Sequence, residues 1–189
     1  MSESQRPGRY QRSGNGLVAA MLITVVAVVA FVGFRSLVSD EPDVEPEAVD
    51  YLETVGLAQD GDIEPVYPAE LPAGWIATRA EVLPDAPPGF DLAMLTGDEE
   101  FVGMVWSGEP IDDLLAERVD DEDVEDADPL TVDGSVARQW EGYADAGGDL
   151  AYAAEVADHV VLVYGSAPAD DLLTLVESLT TAPLAQSSP

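Results

Sequence analysis

The residues in this chain that could do chemistry are one histidine and a dense run of carboxylates. His159 is the only histidine, and Asp158 directly precedes it. A hydrolase of the Ser-His-Asp type would have to combine this pair with a serine such as Ser107 or Ser166. A single histidine is more typical of a structural position, so the sequence predicts no catalytic residues and no enzyme activity.

The acidic run occupies residues 120–129 and reads DDEDVEDADP. Asp121, Asp123 and Glu125 have the alternate spacing found in the first half of a calcium-binding loop. The second half departs from that loop, because an aspartate stands where the sharp turn needs glycine and a valine where the bidentate glutamate belongs. The three carboxylates are weak candidates for a metal site, and a solvated, self-repelling loop is the alternative. No cofactor site is predicted.

Charge is divided unevenly along the chain. Lys plus Arg number 7 and Asp plus Glu number 38, but residues 36–189 hold only 3 of the basic and 37 of the acidic side chains. A surface of this kind repels phosphate backbones, which argues against nucleic-acid binding. There is no cysteine, which excludes disulfides, thiolate metal sites and a cysteine nucleophile.

An uncharged apolar run from Leu17 to Phe34 follows a polar tail at residues 1–16. As a helix this run is about 27 Å long, close to the hydrocarbon thickness of about 30 Å, and continuation to Val38 completes the span. Three arginines in the tail place the N-terminus in the cytoplasm and the C-terminal domain outside it. The sequence therefore predicts a single-pass cell-membrane protein that contacts the bilayer through Leu17 to Val38, with a cleaved signal peptide as the rival interpretation.

The segments after the span differ in composition. Residues 39–66 form an acidic stalk with prolines, in which the apolar spacing from Val49 to Val55 predicts a short amphipathic helix. Residues 67–182 carry strand, turn and helix patterns and form the predicted extracytoplasmic domain. The loose, polar residues 183–189 are predicted to be a disordered tail.

An internal repeat organises the predicted domain. A shift of 58 residues aligns 91–119 with 149–177 without a gap, and ten of the 29 pairs are identical. Each copy contains strand signals followed by a helix signal. The sequence therefore predicts an α+β fold, in which a duplicated strand-strand-strand-helix unit forms an antiparallel sheet with both helices on one face. The two strands predicted to be central, Phe101 to Trp106 and Val160 to Tyr164, are apolar on both sides, so both faces of the sheet must be covered.

The same repeat suggests a binding groove. Superposing the two halves makes Met94 equivalent to Tyr152 and Trp106 equivalent to Tyr164. These four side chains are candidates for an aromatic-rich binding groove, and the alternative is that they fill the core.

Several short motifs resemble a known family. They are Ser13-Gly14 before the apolar run, Phe34-Arg35 closing it, Pro68-x-x-Leu71-Pro72-x-Gly74-Trp75-x-Ala77-Thr78, Glu100-Phe101-Val102-Gly103 and Val161-x-Val163-x-Gly165. On these motifs the chain resembles the actinobacterial single-span membrane proteins known as domain of unknown function 4245. The resemblance covers nearly the whole chain. It implies an N-terminal anchor and an exported domain, with no assigned activity and no functional residues to carry over.

Three functions compete on this basis. The favoured one is a membrane-anchored, non-enzymatic binding or accessory protein of the cell envelope, with another envelope protein or a small ligand as its partner. The second is a cation-responsive module that uses the acidic loop 120–128. The third is a membrane-tethered hydrolase that uses His159.

Overall fold

The computed structural model describes residues 46–84, 87–119 and 124–184, together with Thr24. The chain divides into two units, Met1–Glu45 and Pro46–Pro189, and the fold described below belongs to the second. The predicted tail 1–16 and, apart from Thr24, the predicted span 17–38 lie outside the described residues. Within the described residues, no helix has both the length and the apolar character needed to cross a membrane.

The second unit is α+β, as predicted. In its described part the helices are α1 (Tyr51–Asp60), α2 (Ile111–Arg118) and α3 (Ala169–Ser178). The strands are β1 (Tyr67–Pro68), β2 (Ile76–Leu83), β3 (Gly89–Leu95), β4 (Phe101–Ser107), β5 (Glu125–Thr131), β6 (Gln139–Ala144), β7 (Leu150–Val156), β8 (His159–Gly165) and β9 (Leu179–Thr180).

Seven of these strands form one antiparallel sheet in the order β2-β3-β4-β8-β7-β6-β5. The short strands β1 and β9 pair separately. β4 and β8 are neighbours at the centre, where their register runs from Gly103 opposite Tyr164 to Ser107 opposite Val160. Every residue of β8, and every residue of β4 except Phe101, is buried. The prediction that both faces of these strands are covered is confirmed.

The helices cover opposite faces of the sheet. Val55 of α1 and Leu175 of α3 share a core cluster with strand residues such as Met104. Leu114 of α2 belongs to a second cluster, which includes Leu162 of β8. We call these sides the α1/α3 face and the α2 face. The prediction that the helices of the two repeats share one face is wrong.

The reason lies in the lengths of the two hairpin loops. The β3–β4 hairpin has five residues between Leu95 and Phe101, whereas the β7–β8 hairpin has two between Val156 and His159. Side chains alternate between the faces of a sheet with a period of two, so an odd difference in loop length reverses the faces. Val105 and Val163, which a gapless repeat makes equivalent, consequently lie on opposite faces.

Helix α1 belongs to the folded core, although it falls within the predicted stalk 39–66. The Asp50 carboxylate caps it by accepting hydrogen bonds from the backbone N–H groups of Leu52 and Glu53, at 3.1 and 3.3 Å. Tyr51 and Val55 are buried against the sheet. The helix therefore fixes residues 51–60 in place of an extended tether.

Most of strand β5 occupies residues predicted to lie in the acidic run 120–129. It is an edge strand, like β2 at the other side of the sheet, and most of its side chains are exposed. A register shift between Ala127 and Leu130 accommodates Asp128 and Pro129. The bulge approaches Gly142 so closely that a Cβ there would lie 2.4 Å from the Asp128 carbonyl oxygen. A side chain at residue 142 would therefore displace the edge strand.

Tyr51, a buried tyrosine, links α1 to the short strand β1, which pairs with β9. Its hydroxyl donates a hydrogen bond to the Pro68 carbonyl oxygen at 3.0 Å. Burial is the main reason that the pKa of Tyr51 is raised to about 12. Since the ordinary tyrosine value is about 10, the neutral phenol stabilises the fold below about pH 10. That contribution disappears as the pH rises to about 12.

We expect Tyr51→Phe to lower the free energy of unfolding by about 1 kcal/mol, because the Pro68 carbonyl loses its donor. The matched control is Tyr143→Phe, whose hydroxyl bonds an exposed carboxylate and whose loss should cost less than about 0.5 kcal/mol. Urea unfolding of the full-length chain at neutral pH measures both values. Equal losses in the two variants would contradict this account of Tyr51.

Candidate functional site

His159, the candidate catalytic histidine, lies at the start of β8 and is buried. Its Nδ1 is 2.9 Å from the Oδ1 atom of Asp158, and its Nε2 is 2.9 Å from the carbonyl oxygen of Pro88. The imidazole stacks on the indole of Trp106, with ring centroids 3.9 Å apart and an interplanar angle of 8°. Both ring nitrogens therefore have partners other than a serine.

The two candidate serines form hydrogen bonds elsewhere. The Ser107 hydroxyl accepts from the backbone N–H of Glu109. The Ser166 hydroxyl donates to the carboxylate of Glu100 and accepts from the backbone N–H of Phe101. Neither hydroxyl has the geometry of a nucleophile activated by His159.

Of the three candidate metal ligands, Asp121 and Asp123 lie outside the described residues. Glu125 is exposed at the start of β5. Among the described residues, no group of three or more His, Asp or Glu side chains is close enough together to hold a metal ion. The cation-responsive loop therefore stays a prediction.

The four residues of the candidate aromatic groove lie on two faces of the sheet. Met94, Trp106 and Tyr152 belong to the cluster under α1 and α3, and Tyr164 belongs to the cluster under α2. All four are at most 8% exposed. They pack in the core on both sides of the sheet and do not line one groove.

A buried charge cluster on the α2 face escaped the sequence reasoning. Asp91 of β3 is 3% exposed. Its Oδ1 is 2.8 Å from Nη2 of Arg79, and its Oδ2 is 2.8 Å from Nη1 of Arg118. The hydrogen bond that Arg79 donates to this carboxylate is the main cause of the raised pKa of Arg79. Two of the three basic residues beyond residue 36 thus converge on one buried carboxylate.

This cluster holds three elements together, because Arg79 lies on β2, Asp91 on β3 and Arg118 at the end of α2. Burial is the main cause of the raised pKa of Tyr164, which is also influenced by Asp91 and Arg118. The Nε of Arg118 is buried and has no hydrogen-bond partner. An arginine in a strand of a lysine-free, acidic chain is the sequence signal that could have indicated the cluster.

The α2 face also carries an open cavity of about 520 Å³, which we call the β5–β7 cavity. It lies between the start of α2 and strands β5 to β7. The residues that matter for its chemistry are Ile111, Thr131, Gln139, Glu141, Ala153 and Glu155.

Register places two carboxylates on one side of this cavity. Glu141 pairs with Ala153 across β6 and β7, and Glu155 lies two residues further along β7, so these three side chains share a face. Glu141 and Glu155 are exposed, whereas Ala153 is buried and Ile111 is half-buried. The cavity therefore combines an apolar floor with an acidic rim.

The acidic rim carries no compensating cation in the described part of the chain. The Tyr143 hydroxyl donates to Oε2 of Glu141 at 2.9 Å. Burial, followed by this hydrogen bond, raises the pKa of Tyr143 to about 12, so the phenol stays neutral at physiological pH. The ion pairs of the described arginines involve neither Glu141 nor Glu155. This arrangement suits a cationic group on an apolar stem.

Comparison with known proteins gives one family match. The model of a family described as "Protein of unknown function (DUF4245)" matches residues 9–179. No curated protein matches the chain. A structure titled as the complex of Pseudomonas aeruginosa MucA/MucB is similar over 61% of this chain and 34% of that chain, with 13% sequence identity and a TM-score of 0.34. A likeness at that level supports no statement about function.

We expect Asp91→Asn to lower the free energy of unfolding by about 3 kcal/mol, because the largely buried Arg118 guanidinium loses its buried carboxylate partner and keeps only a longer ion pair, at 3.4 Å, with the exposed Glu117. The control is Asp133→Asn, whose pair with Arg138 at 3.2 Å is exposed and should contribute less than about 1 kcal/mol. Urea unfolding of the full-length chain measures both.

A second variant separates charge from packing in the same cluster. Replacing the two buried members of the cluster, as Asp91→Leu with Arg118→Met, removes the buried charges together, leaves the half-exposed Arg79 in contact with water, and should recover part of the stability lost in Asp91→Asn. If Asp91→Asn is no more costly than Asp133→Asn, the cluster does not hold β2, β3 and α2 together.

Proposed function

Since the chain belongs to the DUF4245 family of proteins of unknown function, we propose a role for it from its geometry. It is a non-enzymatic binding or accessory protein of the cell envelope, and the β5–β7 cavity accepts a basic segment of another protein. The observation that carries this proposal is the pairing of uncompensated carboxylates with an apolar floor in one cavity.

Charge complementarity supports a basic partner. Residues 36–189 carry a net charge of −34, so a cationic segment is attracted from a distance before it reaches the cavity. A lysine or arginine would lay its methylene stem on Ile111 and Ala153 and place its charge between Glu141 and Glu155. The protein–protein contact then takes its orientation from the acidic rim.

The non-enzymatic assignment is supported by the surroundings of His159. Catalysis by a Ser-His-Asp mechanism needs a free ring nitrogen that faces the nucleophile. The nitrogens of His159 instead face Asp158 and Pro88. Binding is the better proposal because it uses the charges that the structure leaves unpaired.

The cellular location in this proposal follows from the sequence. The segment from Leu17 to Val38 anchors the protein in the membrane, the tail 1–16 is cytoplasmic, and the second unit is extracytoplasmic. The asymmetry of arginines around the apolar run supports this orientation.

The cavity is tested by removing its charge without changing its shape. We expect Glu141→Gln combined with Glu155→Gln to weaken binding of a pentalysine peptide to the full-length chain by about tenfold, since two ion pairs are lost. Isothermal titration calorimetry in about 0.05 M salt measures this affinity, and the effect should shrink in about 0.5 M salt.

The matched control removes two exposed acids from α1, as Glu53→Gln with Asp60→Asn. It lowers the overall charge equally and should weaken pentalysine binding less than about twofold. A photo-crosslinking residue at Gln139 in native membranes should also give a discrete adduct that pentalysine suppresses, while one at Glu53 should not. If both double variants weaken pentalysine binding equally, the assignment of the cavity as the binding site is wrong.

The orientation is tested with single cysteines, since the chain has none of its own. In intact cells, an impermeant maleimide should label Glu64→Cys in the second unit. It should leave Ser13→Cys in the tail unlabelled until the membrane is permeabilised. The reverse pattern would place the second unit in the cytoplasm.

A further inference from the structure

Residues 181–184 follow β9 and lie against α1, where side chains hold their backbone. The Gln59 amide donates from Nε2 to the Ala182 carbonyl oxygen at 3.2 Å, and its Oε1 accepts from the Leu184 N–H at 2.9 Å. The hydroxyl of the buried Tyr67 donates to the same Ala182 oxygen at 2.6 Å. One side-chain amide thus binds a carbonyl and an N–H two residues apart, as a neighbouring strand does in a sheet.

Contacts of this kind recognise a peptide backbone. The residue between the two bonded groups is Pro183, which has no N–H to leave unpaired and whose ring restricts its φ. A proline also favours extended backbone in the residue before it. Main-chain hydrogen bonds combined with pockets for side chains are the way in which extended peptides bind to folded domains. We call this surface the α1 groove and define it by Gly56, Gln59 and Tyr67.

Leu184 is the apolar contact of the bound segment. Its side chain is half-buried and packs against the core cluster under α1 and α3. Its Cδ1 lies 3.7 Å from the position that a Cβ would take on Gly56. A larger side chain at residue 56 would compete with the leucine for this space, so the glycine leaves the surface of α1 open to it.

The segment fills the α1 groove incompletely. Thr181 and Pro183 form one wall of an open cavity of about 310 Å³, which Asp62 and Glu64 also line. Both carboxylates are exposed, and the ion pairs of the described arginines include neither of them. A longer, cationic side chain at the position of Thr181 would fill this space with its methylene stem and bring its charge to a carboxylate.

We propose that the α1 groove is a second binding site for another protein and that residues 181–184 occupy it as an internal competitor. The ligand is an extended segment with lysine or arginine at the position of Thr181 and leucine at the position of Leu184. Charge complementarity favours this basic partner, because residues 36–189 carry a net charge of −34. The internal segment must leave before the partner binds, which lowers the measured affinity by the fraction of molecules in which the groove is free.

The competition is tested on the full-length chain by fluorescence anisotropy of a labelled, acetylated and amidated Lys-Ala-Pro-Leu peptide. Leu184→Ala loosens the internal segment and should tighten peptide binding about fivefold, because the groove is free in more of the molecules. Adding Gln59→Leu removes both amide hydrogen bonds and should cancel this gain. A segment with a role in stability alone would leave peptide binding unchanged in both variants, and urea unfolding checks that both are folded.

The charge preference is tested by comparison with a Thr-Ala-Pro-Leu peptide. The lysine peptide should bind about threefold more tightly in about 0.05 M salt, because it gains an exposed ion pair. Asp62→Asn with Glu64→Gln should abolish this preference. The matched control, Asp98→Asn with Glu99→Gln, removes two exposed acids from the β3–β4 loop and should retain it.

The α1 groove is independent of the β5–β7 cavity, which lies on the α2 face. Glu141→Gln with Glu155→Gln should therefore leave binding of Lys-Ala-Pro-Leu unchanged, whatever its effect on pentalysine. The proposal is overturned if Leu184→Ala binds this peptide no more tightly than the unmodified chain, or if Gln59→Leu has no effect. Equal affinity for the two peptides would also contradict it, and would indicate exchange of residues 181–184 between copies of the chain.

Discussion

The fold depends on removing both faces of β4 and β8 from water. These strands are the most apolar in the sheet, and they lie side by side at its centre. A helical layer on one face would leave the other exposed, so the two helices that follow the central strands must separate. α2 covers one face near β4 and β8, and α3 with α1 covers the other. The layers, the cavity and the charge cluster follow from this division.

Much of this architecture could be predicted, because the central strands and their following helices have strong patterns. The α+β class is confirmed, and so is the succession of strands followed by a helix in each copy of the repeat, 91–119 and 149–177. The face of the sheet on which each helix packs could not be predicted from a repeat aligned without gaps. Loop lengths of five and two residues have no effect on hydrophobicity or propensity, yet their odd difference moves every side chain of β8 to the other face. The same difference separates Tyr164 from Trp106.

The binding features were harder to predict, because they depend on contacts between distant residues. Arg79 and Arg118 are ordinary surface residues by type, and only the pairing of β2 with β3 and the packing of α2 bring them to Asp91. The β5–β7 cavity likewise depends on tertiary packing, because it lies beside Ile111 at the start of α2, where the helix no longer covers the sheet. Counting carboxylates could not single out Glu141 and Glu155 among 38 acidic residues. The sequence shows how many carboxylates the chain has, whereas only the register of β6 and β7 shows that Glu141 and Glu155 lie side by side at the cavity.

The small number of basic residues beyond residue 36 links the buried charge cluster to the unpaired carboxylates at the surface. Asp91 is buried, and a buried carboxylate without partners is far more costly than an exposed one. Two of the three arginines beyond residue 36 are therefore fixed at Asp91, and the third pairs with Asp133. The chain beyond residue 36 has no lysine that could neutralise the rim of the cavity. Glu141 and Glu155 thus remain exposed to water, where an unpaired carboxylate costs little, and none of the described arginines forms an ion pair with either of them.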